Sequence, residues 1–271
     1  MKKIICPTDF SASANNAIAY AAKLAKQVHA ELTLLNVQSL FDHTPAEAIW
    51  GEELNVEAAT AQLEAQCREV TSVFKIPCYS EVITSIASIS KAIGDKAARY
   101  DLIVMGTSGP ADVFEFFSGT NTYHVIRKSS TPLLLIPEIC GYTDITKVVY
   151  AFDYWRKSDL PIQQLIGFTK PVNSSLTVLQ IMEESVSRDA EKELVSFQHV
   201  VRDLYPNEPL DFDILHTDNL INAIHQYIVK NEVDVLALCA EDYGFLEALF
   251  HKSVIKAFSV IAEYPVFVFH E

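Results

Sequence analysis

Short apolar runs alternate along this chain with longer stretches whose apolar residues recur every three to four positions. The short runs predict strands at Lys3–Cys6, Glu31–Val37, Tyr79–Ile83, Leu102–Met105 and Leu133–Ile136 in the first half. In the second half they predict strands at Lys147–Ala151, Leu176–Ile181, Phe212–Leu215, Val235–Cys239 and Val266–Phe269. The amphipathic stretches of the first half predict helices at Ser13–Val28, Pro45–Phe74 with a break, Ser88–Ala98 and Thr120–Lys128. Runs of Ile, Leu and Val without polar alternation are buried on both faces, which is the signature of parallel strands. Strand and helix alternate strictly, so each half is expected to be α/β, with right-handed crossovers and a doubly wound parallel five-stranded sheet.

The two halves resemble each other, and repeats change the domain count. "KKIICPTDF" at 2–10 aligns with "TKVVYAFDY" at 146–154, which sets Asp9 on Asp153 at an offset of 144. The same offset sets "LTLLNV" (32–37) on "LTVLQI" (176–181) without a gap. An offset of 133 sets "YDLIVMG" (100–106) on "VDVLALC" (233–239) and "TPLLLIP" (131–137) on "YPVFVFH" (264–270). Two gapless registers imply a tandem duplication. The segment "PEICGYTD" carries the Pro and Gly of a short linker, so the domains are expected at 1–143 and 144–271.

Composition narrows the function. The 271 residues are 49% hydrophobic and 21% charged, enough for two cores and unlike a disordered chain. The formal charge is −14. Residues 1–143 hold 11 Lys+Arg against 15 Asp+Glu, and residues 144–271 hold 10 against 20. Such a surface repels phosphate backbones, so nucleic acid is not the expected partner. The five cysteines are widely spaced, odd in number and form no CxxC. They read as thiols of a reducing compartment; Cys67 alone sits in a polar, helix-like run. "MKKIICPTDF" turns polar too early for a signal-peptide core, and no run of about 18 apolar residues exists to span a membrane. The cytoplasm is the expected location.

The glycines point to a site. Three of the chain's eight fall in "MGTSGPADVFEFFSGTN" (105–121), at Gly106, Gly109 and Gly119. Gly106 follows the apolar run "LIVM", at the carboxyl end of a predicted strand, where open parallel sheets bind ligands. A glycine there permits a sharp turn and the close approach of a ligand. Gly119-Thr120-Asn121 opens the next predicted helix, whose free N–H groups and dipole attract an anion. Asp9 lies after the first strand, also at a carboxyl end. Its carboxylate either accepts hydrogen bonds from ribose hydroxyls or caps the following helix.

Gly106-x-x-Gly109, nine residues, then Gly119-Thr120 resembles the nucleotide motif of the universal stress protein family. "CPTDFS" and "DLIVMG" are similar to that family too, and the two-repeat arrangement resembles its tandem members. The resemblance implies a Rossmann-like, adenine-nucleotide alpha-hydrolase-like sheet. It also implies that Pro7, Thr8 and Asp9 line an adenosine site, with the aspartate on ribose. Val37 would contact adenine through its backbone. Gly106, Gly109, Gly119, Thr120 and Asn121 would surround the phosphates, flanked by Met105 and Ser108. Members of the family dimerise through the last strand, which implies an intramolecular pseudo-dimer here or a homodimer.

The match is uneven. Ser108 and Pro110 stand where the family often has His, Arg or Lys, and Asp112 and Glu115 add negative charge. A triphosphate would need Mg²⁺ or backbone N–H groups to neutralise it, so AMP or ADP suits the pocket as well as ATP. In the second half Gly106 aligns with Cys239, Gly109 with Asp242 and Gly119 with Lys252, while Pro7 and Thr8 become Ala151 and Phe152. That half is expected not to bind nucleotide in the same manner. The chain contains no GxxxxGK[ST], GxGxxG, GxSxG or HExxH. Three readings remain. One is a non-catalytic, nucleotide-responsive stress protein acting on an unidentified protein partner. The second is a nucleotide-free scaffold, and the third a slow Mg²⁺-dependent ATPase.

Overall fold

The computed structural model describes residues 1–39, 52–107, 129–153, 160–182, 188–239 and 263–270. The chain divides into two compact units, Met1–Tyr142 and Thr143–Glu271.

The first unit runs β1 (Lys3–Pro7), α1 (Ala12–Val28), β2 (Glu31–Ser39), α2 (Glu52–Phe74), β3 (Cys78–Ser85), α3 (Ile89–Ala97), β4 (Leu102–Thr107) and β5 (Leu133–Pro137). Its strands are parallel and ordered β3-β2-β1-β4-β5. The predicted strand positions hold, and most strands extend one or two residues beyond their apolar runs. The apolar cores of β1, β4 and β5 are buried on both faces, whereas the edge strand β3 is half exposed. That gradient is why β1 and β5 read as solid hydrophobic runs and β3 as a mixed one. Helix α1 starts at Ala12, one residue before the predicted Ser13, because Ser11 caps it. Its buried face is mostly alanine (Ala14, Ala17, Ala21, Ala22, Ala25), and small side chains let the helix lie close to the sheet. Helix α2 buries Ala59, Leu63, Cys67 and Val70, a stripe at helical spacing that places Cys67 inside although its sequence neighbours are polar. The predicted helix at Thr120–Lys128 and the predicted start of α2 near Pro45 lie outside the described residues.

The second unit runs β6 (Lys147–Asp153), α4 (Leu160–Val172), β7 (Ser175–Met182), α5 (Arg188–Leu204), β8 (Leu210–His216), α6 (Leu220–Asn231), β9 (Val235–Cys239) and β10 (Val266–Phe269). Its strands are again parallel, ordered β10-β9-β6-β7-β8. Its core is more aromatic. Phe168 stacks on Phe267 at 4.2 Å between ring centres, and Tyr150 packs on Phe152 at 5.2 Å and on Phe269 at 5.5 Å.

The duplication is legible in detail. Asp101 accepts from the backbone N–H of Lys2 (2.5 Å) and Lys3 (3.0 Å), fastening the start of β1 to β4. Asp234, its equivalent at offset 133, accepts from the N–H of Thr146 (2.8 Å) and Lys147 (2.9 Å) and from the Thr146 hydroxyl (2.9 Å). The C-cap of α1, His29, has φ 55°, and its equivalent Asn173 after α4 has φ 58°.

Candidate functional site

In the first unit the chain leaves β1 outward to β2 and β3, then returns to the other flank of β1 as β4. The strand order therefore reverses between β1 and β4. In open parallel sheets such a reversal, at the carboxyl ends of the strands, is where ligands bind. Pro7 ends β1, with Thr8 and Asp9 next in the loop; Val37 lies near the end of β2; Met105, Gly106 and Thr107 end β4. Six residues expected at the site therefore stand on one edge of one sheet. The other five, Ser108, Gly109, Gly119, Thr120 and Asn121, lie outside the described residues.

The β1–α1 loop is held from several sides. The Thr8 N–H donates to the Leu35 carbonyl (2.8 Å), and the Thr8 hydroxyl accepts from the Phe10 N–H (3.0 Å). Asp9 Oδ1 accepts from the Ser11 N–H (2.9 Å). Ser11, not Asp9, is the N-cap of α1, its hydroxyl accepting from the Ala14 N–H (3.2 Å). Asp9 is exposed, and its other oxygen accepts nothing from the described residues. Phe10 has φ 67°. The other four non-glycine residues with positive φ among those described each follow a helix; Phe10 alone lies between a strand and a helix. A left-handed phenylalanine costs on the order of 1 kcal/mol and persists only where its surroundings hold it, as they do at functional loops.

Asn36 supplies part of that hold. It is buried (4% exposed), its Nδ2 donates to the Thr8 carbonyl (2.8 Å), and its Oδ1 accepts from Gln38 Nε2. Sequence reasoning passed over this residue. Its signal is a polar amide interrupting the apolar run "LTLLNV" at the carboxyl end of a strand. Residues two apart in a strand direct their backbone groups to the same side. Leu35 directs its carbonyl toward Thr8, so the N–H and C=O of Val37 face that side too, beyond Pro7, the last β1 residue paired with β2.

Gly106 has a different neighbour from the one expected. A Cβ there would lie 2.2 Å from the Ser13 carbonyl oxygen, 2.4 Å from its carbon and 2.9 Å from the Ala14 nitrogen. The first turn of α1 thus rests directly on β4. Helix–strand packing by itself therefore requires a glycine at 106. No group of three or more His, Cys, Asp or Glu able to hold a metal occurs among the described residues. Among them, too, no helix is long and apolar enough to cross a membrane.

The sequence model of the universal stress protein family matches residues 1–137 of the 271. The chain belongs to the universal stress protein family. Universal stress protein MJ0531 of Methanocaldococcus jannaschii is 27% identical over 139 residues, covering 50% of this chain and 81% of that protein. A universal stress protein structure from Archaeoglobus fulgidus superposes with a TM-score of 0.72 at 17% identity, covering 99% of this chain and 98% of the other. A structure from Pseudomonas aeruginosa gives a TM-score of 0.58 at 14% identity, covering 100% and 93%. At such identities the likeness establishes the fold across both units and nothing finer.

Within this universal stress protein the second unit departs at the same edge. Phe152, the equivalent of Thr8, is 3% exposed and stacks on Tyr150. Gln180 is the equivalent of Asn36. Its Oε1 accepts from Gln198 Nε2 (3.1 Å), and its own Nε2 is buried without a partner among the described residues. Cys239, the equivalent of Gly106, ends β9 and is buried.

Proposed function

We propose that the first unit of this universal stress protein binds an adenine nucleotide at the crevice between β1 and β4, and that occupancy changes how the protein meets a protein partner. The observation that supports this most is the convergence of β1, β2 and β4 carboxyl ends at the strand-order reversal, with Asp9 exposed there. In this reading Asp9 accepts from the ribose hydroxyls through the oxygen not taken by Ser11. The adenine edge meets the backbone N–H and C=O of Val37. The buried Thr8–Asn36 hydrogen bond positions the loop between them. The phosphates run past Met105 and Gly106 toward Ser108, Gly109, Gly119, Thr120 and Asn121. ADP and AMP are as well accommodated as ATP, and Mg²⁺ accompanies a triphosphate. The role is binding rather than turnover. The second unit, with Phe152 in place of Thr8 and Lys252 aligned with Gly119, does not bind in this manner.

A nucleotide-free scaffold is the second reading, and Gly106 favours it: that glycine is explained by Ser13 alone. Titration calorimetry with ATP, ADP and AMP, with and without Mg²⁺, on wild type and Gly119→Lys separates the two. Binding near one equivalent per chain, lost in the variant, is the expected result. Silence of the wild type up to millimolar ligand establishes the scaffold reading, and steady phosphate release with Mg²⁺-ATP establishes an ATPase.

A further inference from the structure

Two cysteines outside the set of residues expected at the nucleotide site stand in contact. Cys67 lies on α2 and Cys78 opens the edge strand β3, and the Cys78 thiol donates to the Cys67 sulfur at 3.2 Å. They are eleven positions apart in the chain, and Lys75, with φ 60°, lies in the turn that brings the chain back. We propose that Cys67 and Cys78 form a reversible dithiol–disulfide couple, oxidised by hydrogen peroxide or an alkyl hydroperoxide.

The surroundings assign each sulfur a role. The hydrogen bond from Cys78 lowers the pKa of Cys67 against the opposing effect of burial, helped by Ser80, the Leu34 backbone and the Arg68 guanidinium. The same hydrogen bond, with burial and the Cys67 charge, raises that of Cys78. Cys67 is therefore the thiolate that attacks, and Cys78 the thiol that waits. In the first step the Cys67 thiolate attacks the terminal peroxide oxygen. An S–O bond forms, the O–O bond breaks, and the departing oxygen leaves as water or alcohol after taking a proton. Cys67 becomes a sulfenic acid. Its negative charge is then gone, which removes one of the causes holding the proton on Cys78. The Cys78 sulfur next attacks Sγ of Cys67. The S–S bond forms, the S–O bond breaks, and the hydroxyl leaves as water with the Cys78 proton. The dithiol has lost two electrons and two protons, and one peroxide has been reduced. A dithiol reductant reverses the step by exchange.

Access fits a small oxidant. Cys67 is 7% exposed, while Cys78 is half-buried on the outermost strand of the sheet, followed by the exposed Tyr79 and Ser80. The bond would tie the last third of α2 to the start of β3 and close the segment between them. An edge strand gains most from such a tie, since it is paired on one side only.

The experiment treats the full-length reduced protein with a few equivalents of hydrogen peroxide, blocks remaining thiols, and digests without reductant. Arg68 and Lys75 lie between the two cysteines, so trypsin separates them. The expected product is a linked pair of peptides holding Cys67 and Cys78, lost on treatment with dithiothreitol. Cys67→Ser, folded by circular dichroism, loses the product and the matching peroxide consumption. Cys78→Ser stops at the sulfenic acid, which dimedone traps at Cys67. The proposal is overturned if folded wild type yields no linked pair, if the pair appears only between chains, or if Cys67→Ser consumes peroxide as wild type does.

Discussion

Gly106→Ala tests whether this glycine serves the fold or a ligand. The alanine Cβ would sit 2.2 Å from the Ser13 carbonyl oxygen, and ordinary contact begins at 3.4 Å. Helix α1 and strand β4 must therefore part by the difference, 1.2 Å. The obstacle is backbone on both sides, so no rotamer change relieves it. Moving α1 also strains the bonds from Asn16 Nδ2 to the carbonyls of Pro137 and Cys140, both 2.9 Å. Close-packed interiors resist such shifts, and overpacking costs about 1–3 kcal/mol. Backbone against backbone belongs at the upper end, about 3 kcal/mol, which for a unit of this size lowers Tm by roughly 10 °C. Thermal and urea unfolding without ligand measure it, with Gly141→Ala as the control, because nothing lies within 4 Å of a Cβ there. If Gly106→Ala unfolds like wild type without ligand and loses only nucleotide affinity, the packing argument is wrong and the glycine serves the phosphates.

Three further outcomes follow from other contacts. Asn36→Leu removes the donor to the buried Thr8 carbonyl and should lower stability by about 1–3 kcal/mol in urea unfolding. In the nucleotide-binding reading it should also weaken calorimetric affinity, although Asn36 is not expected to touch the ligand. Burial works against the Asp101 charge, but the N–H groups of Lys2 and Lys3 outweigh it and hold the carboxyl below its ordinary 3.8. The folded state then binds fewer protons than the unfolded one, so this stability is present above about pH 4 and lost as the pH falls through the folded value. Asp101→Asn should cost about 1 kcal/mol near neutrality, discounted for exposure, and flatten the acid limb of a stability-against-pH curve. Gly167→Ala, inside α4 with open space around its Cβ, should stabilise by up to about 1 kcal/mol in thermal melts.

The fold was legible because its evidence is repeated. Ten apolar runs, two offsets and strict alternation of strand and helix leave few topologies, and the runs at Val235–Cys239 and Val266–Phe269 match their strands to the residue. Strand ends were less legible, since β2 continues through Gln38 and Ser39 after its apolar run stops; backbone pairing with β3, not hydrophobicity, carries it that far. The site was legible as a place on the sheet but not as a set of forces. Gly106 announces a close approach, yet the sequence does not say that the approaching atoms belong to Ser13. Asp9 announces a polar role, yet the capping falls to Ser11. The left-handed Phe10 and the Cys67–Cys78 contact depend on where separate segments meet, and spacing along the chain is silent on that.

The two units differ in an ordered way. At the amino ends of the strands the duplication has kept its chemistry: Asp101 and Asp234 make the same clamp on the first strand of each unit. At the carboxyl ends it has kept the aspartate, Asp9 and Asp153, but changed the residues around it. Asn36 locks the Thr8 carbonyl, while Gln180 bonds Gln198 and Phe152 stands buried at the position of Thr8. Selection for the fold alone gives no reason for the two ends to diverge unequally. A binding role at one edge, held by the first unit and released in the second, does give a reason. Converting the second edge tests it: Phe152→Thr with Lys252→Gly and Cys239→Gly restores the residue types of the first unit. A second equivalent of nucleotide bound by a folded triple variant supports that account. A folded triple variant that still binds one equivalent shows that the edge lost more than these three side chains, and one that binds none speaks against a site in the first unit as well.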